Sequence, residues 1–139
     1  MLKITLQKSV VDSICVFNNS KKDWYEKTFV KYLGSVETKG GRTFKLLTCS
    51  LVWGPNRHTT GTIYVFNEKN QSVGKYHLGD GTDIPDSMKN GVLIFINNNR
   101  YNCDPKLITR ISLRNGLPQN IFIKCRGKYG DIYSFSDND

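Results

Sequence analysis

The chain has 139 residues and a net charge of +8. That length suits one domain, which buries roughly two-thirds of its unfolded-chain surface and so needs neither metal nor disulfide to fold. No apolar run is long enough for a membrane-spanning helix, and four cysteines without a CxxC pair argue against a zinc ribbon.

The start, MLKITLQKSVVDSICVF, alternates and lacks the continuous apolar core of a signal peptide. The default compartment is therefore the cytoplasm, although an exported chain that has lost its leader reads the same. Leu2 to Leu6 reads as a short strand and Val10 to Phe17 as a second, with Val10, Asp12, Ile14 and Val16 on one side. Ser20 with Asp23 resembles a helix start. Tyr25, Phe29, Tyr32 and Leu33 then fall at helical spacing, and Gly34 offers a stop. This predicts one short helix near residues 21–33, against the strand preference of Thr28, Phe29, Val30 and Tyr32.

Residues 37–42 read as a turn into a long strand ending at Trp53. Both parities of that strand are largely apolar, as in a central strand covered on two faces. Gly54 and Pro55 end it. A hairpin follows, Thr62–Phe66 and Val73–Leu78. Of two registers, the preferred one places Ile63 opposite Tyr76, Val65 opposite Gly74 and Phe66 opposite Val73. Its rival has a three-residue loop with Asn70 left-handed. The preferred pairing gives a core face of Ile63, Val65, Tyr76 and Leu78 and an outer face of Thr62, Tyr64, Phe66, Val73, Lys75 and His77.

Gly79 to Asn90 reads as a loop, Val92 to Ile96 as a buried strand, Asn97 to Arg100 as a polar turn and Leu107 to Leu113 as an alternating strand. Asn115–Gly116 is a tight-turn signal. Ile121 to Cys125 and Ile132 to Phe135 read as strands, and Ser136 to Asp139 as a frayed tail. The fold class expected is mainly β: a single antiparallel β-sandwich or partly open barrel of about 7–9 strands. The expected core includes Phe29, Leu47, Leu51, Ile63, Val65, Leu78, Ile94, Ile96, Ile111, Ile121 and Ile123. Cys49 reads as a buried free thiol; Cys103 and Cys125 flank a strand and are suited to pair in an oxidising compartment.

Chemistry is thinly signalled. There is no GxSxG elbow and no phosphate-binding loop. The two histidines, His58 and His77, are too far apart along the hairpin to share one ion, and Asp80, Asp83 and Asp86 lack calcium-loop spacing. No metal or cofactor is expected, and the chain reads as non-catalytic. Six basic residues and no acid lie between Pro105 and Gly130, and four of the seven tyrosines directly follow a basic residue. The function expected is recognition of another macromolecule, a protein with an acidic surface, through Trp53, Asn56, Arg57, His58, Tyr64, Lys75 and His77. A single-stranded nucleic-acid-binding β module is the second reading. A small hydrolase-like enzyme around His77, Asp80 and Asp83 is the third.

Overall fold

The computed structural model describes residues 2–79, 83–97 and 100–137. They form a mainly β fold of two antiparallel sheets with one short helix and no closed barrel. The elements in chain order are α1 (Leu2–Lys8), β1 (Ile14–Asn18), β2 (Glu26–Glu37), β3 (Thr43–Trp53), β4 (His58–Asn67), β5 (Ser72–His77), β6 (Ser87–Lys89), β7 (Val92–Ile96), β8 (Ile108–Ser112), β9 (Asn120–Arg126) and β10 (Tyr129–Asp137). Ten strands thus replace the seven to nine expected: β2 lies where the helix was expected and β6 inside the loop read over residues 79–90, while the strand expected at Leu2 to Leu6 is lost to α1. A seven-stranded sheet runs β1-β2-β3-β4-β5-β10-β9, and a three-stranded sheet runs β6-β7-β8.

The helix expected near residues 21–33 is not there. Those residues belong to a β-hairpin instead. Lys21 and Trp24 exchange both backbone hydrogen bonds, at 2.7 and 3.1 Å, across the two-residue turn Lys22–Asp23. From that turn the ladder runs on through Asn18 opposite Lys27 to Ile14 opposite Lys31. The β-branched and aromatic residues Thr28, Phe29, Val30 and Tyr32 win over a helical spacing that recurs here by chance. Gly34 is no helix stop: it sits at φ 130° beside the register shift between Tyr32 and Gly34, a bulge that bends β2.

The helix lies instead where a strand is expected, at residues 2–8. Leu2, Thr5 and Leu6 fall at i, i+3 and i+4 and face inward. Leu6 packs on Val30, Tyr32, Leu47 and Phe66, on one face of the large sheet. The turn after α1 is closed by Ser9 at φ 49°, whose Oγ donates to Leu6 O at 2.5 Å.

The main core lies on the opposite face, where the small sheet packs on the large one. Leu33, Leu46, Ile63, Val65, Tyr76, Ile121 and Ile123 of the large sheet meet Met88, Leu93 and Phe95 of the small one. Ile63, Val65, Leu47, Leu78, Ile121 and Ile123 are buried as expected. On β7 the parity is reversed: Leu93 and Phe95 point in, and Ile94 and Ile96 are half-buried. Five consecutive apolar residues carry no alternation from which a face can be chosen. Phe29, Leu51 and Ile111 are also half-buried rather than core.

The β4–β5 hairpin keeps the preferred register at Ile63–Tyr76, Tyr64–Lys75 and Val65–Gly74, and then shifts so that Phe66 pairs with Ser72. The shift reconciles both readings, because Asn70 does adopt the left-handed φ of 62°. Gly74 is required there: a Cβ would collide with the Phe135 ring and Ser136 O of β10. Ser136 and Asp137 are not frayed but pair with Lys75 and Gly74.

Candidate binding site at a strand tip

The β3–β4 turn, Gly54–Arg57, and the β1–β2 turn meet at one end of the large sheet, where Gly54 N donates to Tyr25 O at 2.8 Å. Trp53 pairs with His58 across the ladder, and Glu26 pairs with Trp53, so Trp53, His58 and Trp24 share a face. Their rings form a row: Trp24 to Trp53 at 6.1 Å and Trp53 to His58 at 5.1 Å between centroids. Trp24 remains 41% exposed.

Beside this row stands a cationic group. The Arg57 guanidinium lies 3.6 Å from the Tyr25 ring centroid, and Lys27 Nζ approaches the same ring at 5.5 Å. Arg57 sits at φ 54°, a left-handed conformation that costs a non-glycine residue about 1 kcal/mol or more. Its Nη1 donates back to Gly54 O at 3.3 Å, so the turn that strains Arg57 also aims it over Tyr25. A shallow cleft of about 220 Å³ opens between Lys21, Lys22, Asp23, Trp24, Tyr25 and Arg57.

Of the seven residues expected to form a patch, Trp53, Asn56, Arg57 and His58 come together at this tip, with Asn56 exposed on the turn. Tyr64, Lys75 and His77 lie along the same face but further down the sheet. Tyr64 is six residues from His58, roughly 20 Å along a strand. It is half-buried against the cluster that Leu6 of α1 covers, and burial pushes its hydroxyl pKa up. His77 is exposed, with its Nδ1 3.4 Å from Thr62 Oγ1. Trp24 and Tyr25 escaped the sequence reading because they were assigned to the helix.

A second cluster was also missed. Arg100, read as part of a polar turn, is buried. Its Nε donates to Asp83 Oδ1 at 2.7 Å, Nη1 to Asn97 Oδ1 at 2.9 Å and Lys124 O at 2.8 Å, and Nη2 to Asp131 Oδ2 at 2.7 Å. Tyr133 donates its hydroxyl to Asp83 Oδ2. Burial first, and that hydrogen bond second, hold the Tyr133 pKa well above the usual phenol range. The Cys103–Cys125 disulfide flanks the cluster. Four of the five N–H groups of Arg100 are spent inside the protein, which leaves one, on Nη2, to offer a ligand.

The hydrolase-like trio is not assembled among the described residues. Asp83 is committed to Arg100 and Tyr133, His77 contacts Thr62, and Asp80 lies outside the described residues. Among the described residues no three His, Cys, Asp or Glu side chains converge as metal ligands. Cys49 is free and half-buried, and burial pushes its thiol pKa up, away from nucleophile chemistry. No described helix is long and apolar enough to cross a membrane.

Comparisons with family models, curated proteins and solved structures find no match to this chain.

Proposed function

We propose that this domain is a non-catalytic binding module that recognises an acidic surface on a protein partner through the strand-tip cluster. The observation that carries the reading is the gathering of Trp24, Trp53, Tyr25, His58 and Arg57 on two turns held by one sheet, with Lys21, Lys22 and Lys27 around them. Aromatic rings and arginine supply most binding energy at protein interfaces. Rigid strands beneath two short turns lower the ordering cost of such a surface. The cations Lys21, Lys22, Lys27 and Arg57 outnumber the acids Asp23 and Glu26 at this tip and steer an acidic partner.

Capture of partners from the native host by the wild-type domain tests it, with Trp24→Ala and Arg57→Ala domains alongside. Both variants should lose the retained protein by tenfold or more while keeping their thermal midpoints within a few degrees, and added salt should weaken capture. Retention that is indifferent to both substitutions would rule out the tip.

Single-stranded nucleic acid remains the second reading, on one observation. Of the four tyrosines that follow a basic residue, Tyr32 and Tyr76 are buried, but Tyr101 and Tyr129 are 92% and 78% exposed. Both lie near the cations of β9 and its turn, where rings can stack on bases. Binding of a generic oligonucleotide that falls steeply with salt and with Tyr129→Ala would favour it over the protein reading.

A further inference from the structure

The outer edge of β1 combines exposed apolar side chains with open backbone. Asn19 N donates to Glu26 O, and Lys21 and Trp24 exchange both their bonds, so the odd-numbered residues of this arm turn their backbone groups toward β2. By the alternation of an antiparallel ladder, the N–H and C=O groups of Ile14, Val16 and Asn18 point away from the sheet. Among the described residues no strand pairs with that side. The side chains of Ile14 and Val16 are 58% and 54% exposed, and Val10 and Val11, just before the strand, are exposed as well. The strand sequence ICVFN holds no charge, proline or bulge, the devices that usually blunt an edge.

We infer that β1 is a homodimerisation edge, pairing antiparallel with β1 of a second copy about a two-fold axis at Val16. Three features of this edge select a second copy. First, the outward-facing residues are spaced by two around Val16, so Val16 opposes itself and Ile14 opposes Asn18 of the second copy. All three pairs are then hydrogen-bonding rungs, giving about six backbone bonds. Second, the strand Ile14–Asn18 is uncharged along its whole length, so two copies meet without like charges on opposing rungs. Third, Val16 meets Val16 on one face, burying aliphatic surface that a polar peptide would leave wet. The pairing is isologous and therefore closes at two copies. It extends the large sheet across both molecules. The two strand-tip clusters then lie at opposite ends, roughly 40 Å apart at about 3.3 Å per residue.

Sedimentation across a concentration series tests this, with Val16→Pro and Val16→Lys as variants. Proline at position 16 deletes a donor that faces outward, so it costs β1 no bond to β2. The wild type should rise from the 15.9 kDa monomer toward twice that mass. Both variants should remain monomeric with near wild-type thermal midpoints. Because each copy is strongly basic, salt should strengthen the dimer, the reverse of its effect on capture of an acidic protein. Amide exchange on the wild type gives a readout free of any folding defect in the variants: Ile14, Val16 and Asn18 should become protected as concentration rises. A wild type that stays monomeric to millimolar concentration overturns the inference. So does a dimer that survives both substitutions, which would place the interface elsewhere, or protection of those amides that appears only with another protein's peptide bound.

Discussion

At β9, one outer edge of the large sheet, Lys124 N donates to Thr109 Oγ1 at 2.9 Å and Lys124 O accepts from Asn97 and Arg100. Cys125 O accepts from Asp104 N at 2.7 Å. At β1, the opposite edge, the outward groups of Ile14, Val16 and Asn18 meet no such partner among the described residues. One edge is closed by a buried arginine, two amide and hydroxyl side chains and a disulfide; the other is bare aliphatic strand. The difference teaches that the Arg100 cluster serves as edge protection for β9. It supplies what a further strand would supply, and it cannot be slipped in register.

The sharpest way to break this contrast is Arg100→Ala. The substitution leaves Asp83 buried without its cation and removes one of the two donors to Lys124 O, so a loss of about 3–5 kcal/mol is expected in denaturant unfolding. Amide exchange along β9 should quicken at the same time. A loss under about 1 kcal/mol would mean the cluster is solvated and the edge held by something else. Next comes the disulfide. It closes a separation of 22 residues, and replacing Cys103 and Cys125 together by serine should cost about 3 kcal/mol. The same change in an already Arg100→Ala background should cost measurably less, because both act on one segment.

A smaller effect follows from titration. Tyr133 and Tyr76 both have hydroxyl pKa values raised by burial. A group raised in the fold contributes stability that is fully present below its unfolded value and is lost as pH climbs. Thermal midpoints should therefore fall as pH passes about 10. Tyr133→Phe should flatten part of that fall, and an unchanged slope would place the alkaline sensitivity at Tyr76 or elsewhere. At the bare edge, Val16→Lys should shift stability by no more than about 0.5 kcal/mol.

Strands whose two sides differ were legible from sequence. Ile63, Val65 and Tyr76 alternate with Tyr64 and Lys75, and the hairpin pairs as that alternation requires. Short segments were not. Leu2, Ile4 and Leu6 satisfy a strand period, while Leu2, Thr5 and Leu6 satisfy a helical one, and only the sheet face waiting beneath them decides. Trp53, Arg57 and His58 were found because Gly54–Pro55 marks a turn that gathers them. Trp24 and Tyr25 needed a neighbouring hairpin that helical spacing concealed. The Arg100 cluster was beyond reach, since Asp83, Asn97, Arg100 and Asp131 converge from separate loops and strands. Polar residues in a turn-like run give no sign of being buried.

The place of β10 also sets the order in which the molecule can be built. Its second half pairs with β5 at Phe135–Tyr76, while its first half pairs with β9. The meander from β1 to β5 needs only nearest neighbours along the chain and can form early. Strand β5, however, stays an uncovered edge until β10 arrives, roughly sixty residues later, and every such long closure slows assembly. During synthesis the Gly74–Tyr76 strip is thus the last groove to be filled. Phe135 is the ring that fills it, so completion of the large sheet is a late event set by one aromatic side chain laid over one glycine.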